Sequence, residues 1–244
     1  MANKMEETKY VCEGPIQATL EKAYAYKDNY TTTLAGHEFI VYPDVFNPEV
    51  CPSSHMIVDS WLHLIGTIKP DSLLEIGAGA GYLSVLAALN GVNRVTATDV
   101  TPQAFANIQA NIDKYNLGDR MRAFYGNVFE PLNENGRFDI VFWNLTLCHI
   151  DKPLEELNPL ERTLFDPVYD LAETYIKGAH KHLTDKGRLF TVFSNKLGNF
   201  KCMAELANNN GWRLEPVDNP DYKPSKSYDM DDAIDFSVYE LLKV

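Results

Sequence analysis

Three glycines at alternate positions, Gly77, Gly79 and Gly81, follow an apolar run, Leu73-Leu74-Glu75-Ile76, whose single charged residue is Glu75. The run reads as a buried strand, and the residues after Gly81 have helical spacing. Glycine carries no Cβ, so such a loop can turn tightly and bring its backbone close to a ligand. The helix behind it presents free N–H groups to a carboxylate or phosphate. Asp99 ends the next strand-like run, 22 residues after Gly77, where a carboxylate can hold the hydroxyls of a ribose. Together these residues predict a site for a nucleoside-containing ligand. A dinucleotide fold prefers GxGxxG, whereas the spacing here is GxGxG, which argues against an NAD-dependent oxidoreductase.

The stretch resembles the first motif of class I S-adenosylmethionine (SAM)-dependent methyltransferases, ExGxGxG. The resemblance covers roughly residues 38–244 and implies SAM as cofactor. It places Glu75 near the methionine amino end of SAM, Gly77, Gly79 and Gly81 beneath the ligand, and Asp99 on the ribose. Gly126-Asn127-Val128-Phe129 stands where that family often has Gly-Asp-x-Phe, which puts Asn127 near the adenine amino group. An Asn carbonyl can accept that hydrogen bond. An Asn near a strand end is also a common turn former, and both readings of Asn127 stay open.

The acceptor side begins at Asn144, after the buried-type run Phe138-Asp139-Ile140-Val141-Phe142-Trp143. Ligands of open α/β sheets lie beyond the carboxyl ends of strands, so Asn144 is expected to face the cleft. Two segments, VYPDVFNP upstream and LERTLFDPVYDLAETYI downstream, are similar to the methyltransferase small-domain group, which includes protein-glutamine and nucleic-acid amino methyltransferases. That group grips an amide or amino group with Asn-Pro-Pro-Tyr. Here the sequence is Asn144-Leu145-Thr146-Leu147, so the first Asn survives and the stacking Tyr is lost. The altered motif favours methyl transfer to an amino, amide or hydroxyl group of a small metabolite. A protein methyltransferase of the glutamine-modifying sort is the alternative, and a non-catalytic SAM-binding module is a third reading. Asn144 and His149 are the candidate catalytic residues, with Cys148 behind them. A base helps a hydroxyl acceptor more than an amine, and His149 could instead be a structural hydrogen bonder. His55 and His63 have no third ligand nearby, so no metal site is expected.

The elements that must hold these residues alternate. Strands are expected near SLLEI, RVTATD, MRAFYG, FDIVFW and RLFTVF, with helices beginning near Tyr82, Gln103, Phe165 and Leu197. His180 and His182 are expected at the C-terminal end of the third of these helices. Such alternation predicts an α/β, doubly wound, mostly parallel sheet covered on both faces. The tail breaks the rhythm: WRLEPV and DFSVYELLKV have only a loop between them, so the sheet should end in an antiparallel pair. That agrees with the seven-stranded Rossmann-like methyltransferase fold. A helix over 15–27, a strand over 37–42, an irregular proline-rich segment and a helix from Ser53 or Ser54 precede the alternation. We divide the chain into an N-terminal helical and irregular cap segment, 1–52, and a SAM-dependent methyltransferase domain, 53–244. The cap holds Tyr24, Tyr26, Tyr30, Phe39, Tyr42 and Phe46, too many aromatics for a disordered tail. It is expected to pack over the carboxyl end of the sheet and, with residues 145–165, to form the acceptor pocket.

The chain carries 34 acidic against 22 basic residues, a net charge of −12, and such a surface repels phosphate backbones. Nucleic acid is therefore disfavoured and a small-molecule partner expected. Cys12, Cys51, Cys148 and Cys202 form no CxxC pair and are read as free thiols in a reducing compartment. The start, MANKMEETKY, lacks the apolar run of a signal peptide, and no stretch approaches roughly 18 continuous apolar residues. A cytoplasmic location without membrane attachment is the expectation.

Overall fold

The computed structural model describes residues 13–50, 53–145, 148, 150, 152–195, 197–217 and 236–244. Among the described residues nine strands form two sheets. A hairpin joins β1 (Tyr30–Leu34) to β2 (His37–Val41). The main sheet contains β3 (Ser72–Ile76), β4 (Arg94–Asp99), β5 (Met121–Tyr125), β6 (Phe138–Asn144), β7 (Leu183–Ser194), β8 (Trp212–Pro216) and β9 (Phe236–Lys243). Their order across the sheet is β5-β4-β3-β6-β7-β9-β8. The pairs from β5 to β7 are parallel, whereas β9 runs antiparallel to both β7 and β8. The doubly wound sheet and its reversed strand are thus as expected.

Side chains on successive strand positions point to opposite faces, and that period sorts the core. Leu73, Ile140 and Phe142 pack on one face, under α2 (Ser53–Ile68), α3 (Tyr82–Leu89) and α4 (Pro102–Lys114). Leu74, Ile76, Val141 and Trp143 pack on the other, under α6 (Asp170–Gly178) and α7 (Phe200–Asn209). Every residue of β3 is buried, as a central parallel strand covered on both faces requires. Trp61 is the largest side chain sealed in the first face; its indole N–H donates to the Leu83 carbonyl at 2.9 Å, which joins α2 to α3.

The structure departs from the sequence expectations in three places. First, β1 is an additional strand. It turns back on β2 through Ala35 and Gly36, both at positive φ (49° and 78°), the two-residue geometry that matches strand twist. Second, no helix begins at Phe165. A single-turn α5 (Pro159–Arg162) ends before it, Phe165 bridges to Cys148, and α6 starts only at Asp170. Val168 and Tyr169 adopt left-handed backbone (φ 53° and 60°), which breaks any continuous helix there. Asp166, fully buried, accepts from the backbone N–H of Leu171 and Ala172 at 3.1 and 2.8 Å and so fixes the start of α6. Third, α7 starts at Phe200 and not near Leu197, because the Asn199 side chain caps it through the Cys202 N–H at 3.0 Å.

The N-terminal part is built from α1 (Glu13–Tyr24) and the hairpin. The hairpin is tied down by two buried asparagines of α4. Asn107 Oδ1 accepts from the Tyr42 N–H at 2.8 Å, and Asn111 Oδ1 accepts from the Ile40 N–H at 2.9 Å. Both side-chain amides donate to the Ile40 carbonyl, each at 2.8 Å. No helix among the described residues is long and apolar enough to cross a membrane.

Candidate functional site

Parallel register brings the carboxyl ends of three strands together. Ile76 lies opposite Thr98 of β4 and Trp143 of β6, so Gly77, Asp99 and Asn144 emerge side by side. A cavity of about 280 Å³ opens there. Glu75, Gly77, Gly79, Asp99, Asn127 and Asn144 all line it. Gly81 does not, but its backbone starts α3 just behind the cavity.

The loop has the conformation that its glycines permit. Gly77, Gly79 and Gly81 all have positive φ, 60°, 57° and 77°. At Gly77 the space is taken as well: a Cβ there would lie 2.6 Å from Trp143 Nε1, whereas at Gly79 the nearest atom would be Val45 Cγ1 at an ordinary 3.9 Å. Gly79→Ala should therefore cost only the left-handed strain, about 1–2 kcal/mol, and Gly77→Ala should cost clearly more. Urea unfolding of the two variants without cofactor tests this; equal losses would mean that Trp143 yields freely.

Asp99 braces the loop. Its Oδ2 accepts from the Gly79 N–H at 3.0 Å, and its Oδ1 from the Thr101 N–H and hydroxyl at 2.9 and 3.0 Å. Oδ2 keeps a lone pair for a ligand hydroxyl. Burial raises the Asp99 pKa, and these donors oppose the rise. Glu75 lies on the adjoining strand, almost fully buried, and accepts a short hydrogen bond from the Ser84 hydroxyl. Burial pushes its carboxyl up to about 8, the Ser84 bond works against that, and nearby Asp99 adds to it. Two desolvated acids at one end of a cavity favour a cationic ligand, and SAM carries a sulfonium and an ammonium group. The residues fit that cofactor.

A carboxyl raised above its unfolded value of about 4.3 is more readily protonated in the folded protein. Its stabilising effect is complete below that value and is lost as the pH rises through the folded pKa. Stability of the cofactor-free protein should thus fall from about pH 4 to pH 8 as Glu75 ionises. Asp166, raised by burial to about 6, adds its share in the lower part of that window. Urea midpoints measured across the range should show the decline, and Glu75→Gln should flatten its upper half. An unchanged slope in that variant would assign the effect elsewhere.

The other residues expected at the site have different surroundings. Asn127 is half-buried, and its carbonyl accepts from the Glu130 N–H at 2.9 Å, so it makes a turn and lines the cavity at once. Asn144 closes β6, and its side chain has no hydrogen-bond partner among the described residues. Cys148 is buried, with Sγ 3.2 Å from the Leu197 carbonyl, and does not line the cavity. His149 lies outside the described residues, as do Cys12 and Cys51. His182 is buried and stacked on Phe129, its ring centroid 4.6 Å away, and His180 is exposed in the turn before it. Several further lining residues come from the two segments flanking the core motifs and from the start of α2, and none of them is named as a site residue by its type alone. Asp44, Val45 and Phe46 reach the cavity from the N-terminal part, Ser53 and Ser54 from the first turn of α2, and Arg162 and Thr163 from α5 and its end. The positive end of the α2 dipole at this turn favours a negatively charged group.

Comparison with known proteins agrees with this geometry. Residues 73–164 match the family described as "Methyltransferase domain". Over that span the chain is similar to a methyltransferase domain. The matched span runs from β3 to the end of α5, and so includes the glycine loop, Asp99 and Asn144. The chain is 32% identical over 45% of its length to the release factor glutamine methyltransferase of Bordetella pertussis. It is 30% identical over 59% of its length to the ribosomal protein L11 methyltransferase of Staphylococcus epidermidis. The aligned stretches cover 39% and 42% of those relatives, so the chain spans about two fifths of their length. Among solved structures, the 16S rRNA N2 G1207 methyltransferase of T. thermophilus, in complex with AdoMet and guanosine, shares the fold. Its TM-score is 0.60 at 20% identity, over 88% of this chain and 50% of that one. The expectation that nucleic acid is disfavoured rests on net charge alone, and a neighbour acting on rRNA gives it no support.

Proposed function

We propose that this protein transfers the SAM methyl group to an amino, amide or hydroxyl group of a small molecule. The observation that carries the reading is the shared cavity. Its floor is the glycine loop with Glu75 and Asp99, and its walls come from two places, Asp44–Phe46 and the segment after β6. SAM lies on the floor, with its ribose on Asp99, its adenine beside Asn127 and its carboxylate toward the first turn of α2. Asn144, at the end of β6, orients the acceptor atom through its side-chain amide.

Methyl transfer from a sulfonium is an in-line displacement, so much of the rate comes from holding acceptor and methyl carbon in line. Leu145, Leu154, Leu164 and Leu171 make the acceptor wall largely apolar. Such a wall excludes water and strengthens the few polar contacts that fix orientation. Leu145 stands where an Asn-Pro-Pro-Tyr site would begin its proline pair, and this favours a metabolite over a planar amide displayed on a protein. The relatives that modify glutamine or ribosomal protein support the second reading, a protein acceptor held by the same Asn144.

Incubation with methyl-labelled SAM and a size-fractionated cell extract separates the readings. Label should appear in the fraction below a few kilodaltons. Label confined to protein would replace the small-molecule reading with the second one, and label confined to RNA would defeat both.

A further inference from the structure

Among the described charged residues that line the cavity, Asp44, Glu75 and Asp99 are acids and Arg162 is a base. Arg162 ends α5, half-buried, on the wall that follows β6. Its Nε donates to the Leu157 carbonyl at 3.0 Å. Its two Nη groups make no ion pair and no hydrogen bond among the described residues. In a chain with twelve more acids than bases, that is unexpected.

The neighbouring acids are committed elsewhere. Glu161 accepts from the Asn158 N–H at 2.8 Å and pairs with Lys152 at 3.3 Å. Asp166 accepts from the first turn of α6. The position of Arg162 is also well held. Asn158 and Glu161 form a reciprocal capping box at the start of α5, and the Asn158 amide donates to the Tyr24 hydroxyl of α1 at 2.7 Å. A guanidinium stays charged at any physiological pH and presents its donors as a rigid fork that matches a carboxylate or phosphate. Here the stem is fixed and the fork is left to a ligand. The reading under Proposed function gives the cofactor's own carboxylate a different place, beside the first turn of α2, where Ser53 and Ser54 line the cavity.

We infer that Arg162 receives an oxyanion, a carboxylate or phosphate, carried by the methyl acceptor, whose apolar body lies against Leu145, Leu154 and Pro159. The inference rests on the methyl-donor reading given under Proposed function and narrows its acceptor to anionic small molecules.

The test uses the full chain, with wild type compared with Arg162→Gln and Arg162→Lys by calorimetry at low ionic strength. S-adenosylhomocysteine is titrated first, beside 5′-methylthioadenosine, which lacks the amino-acid carboxylate. Butyrate, phenylacetate, their amides and inorganic phosphate are then titrated into the S-adenosylhomocysteine complex. The expected result is unchanged S-adenosylhomocysteine affinity in both variants. At least one anion should bind wild type, with its amide bound at least tenfold more weakly. Arg162→Gln should weaken that anion at least tenfold, and Arg162→Lys should restore part of the loss. The preference between carboxylates and phosphate then tells which oxyanion is meant. Tenfold loss of S-adenosylhomocysteine in Arg162→Gln, with methylthioadenosine unaffected, would hand the fork to the cofactor and overturn the inference. Anions that bind wild type no better than amides would overturn it too. Failure of S-adenosylhomocysteine to bind wild type at all would instead bring down the methyl-donor reading on which it rests.

Discussion

Asn111→Ala should cost the fold about 2–6 kcal/mol, and cofactor affinity should fall with it, because each buried group left unpaired costs about 1–3 kcal/mol. The side chain is completely buried in the middle of α4, where it makes three hydrogen bonds. Its Oδ1 accepts from the Ile40 N–H at 2.9 Å, and its amide donates to the Ile40 carbonyl at 2.8 Å and to the Ala80 carbonyl at 2.9 Å. Asn107 still serves the Ile40 carbonyl in the variant. The Ile40 N–H and the Ala80 carbonyl are the two groups that lose this partner. Ala80 lies between Gly79 and Gly81, so the same loss loosens the loop on which SAM rests. Urea unfolding gives the first quantity and calorimetry with SAM the second. A stability loss below about 1 kcal/mol, the least that one unpaired buried group costs, would show that water replaces the amide and that the tie between hairpin and glycine loop is dispensable.

That tie is not legible in the sequence, and the reason is physical. Asn107 and Asn111 are four residues apart on an otherwise ordinary amphipathic helix, and nothing in such spacing tells a buried amide from a solvated one. The glycine loop is legible because its chemistry is local. Three glycines in register need only the backbone to announce a left-handed turn, and Asp99 needs only its distance along the chain. The central strands are legible because burial on both faces demands unbroken apolar runs, as in β3. β1 is not, because Tyr30-Thr31-Thr32-Thr33-Leu34 is mostly polar and its turn, Ala35-Gly36, lacks the usual Asn-Gly. The break before α6 is equally silent, since left-handed backbone at Val168 and Tyr169 carries no glycine to mark it. Arg162 looks like any surface base until folding places it on the cavity and leaves its fork without an acid.

Asp99→Ala should weaken SAM by roughly 1.5–3 kcal/mol, the range for hydrogen bonds to charged groups, or about ten- to a hundredfold in dissociation constant. Two losses act together in the variant. The ribose loses a charged acceptor, and the Gly79 N–H loses the carboxylate oxygen 3.0 Å away that holds the loop in place. A rival account uses the same residue differently. Asp99 is buried beside Glu75, so its negative charge could act chiefly on the sulfonium of SAM. S-adenosylhomocysteine separates the two, because it keeps the ribose and lacks the sulfonium charge. If Asp99 anchors the ribose, SAM and S-adenosylhomocysteine lose affinity by equal factors. If it is a counter-charge, SAM suffers most of the loss and the demethylated product little. Asp99→Asn sharpens the comparison: it keeps an acceptor oxygen and removes the charge, so a ribose anchor predicts a loss smaller than that of Asp99→Ala for both ligands. The register of the strands favours the anchor. Asp99 ends β4, one strand away from β3, whereas the acceptor wall and Asn144 lie on the other side of β3 at the end of β6. The methyl group must point toward that wall to be transferred, which carries the sulfonium away from β4 and leaves Asp99 with the ribose.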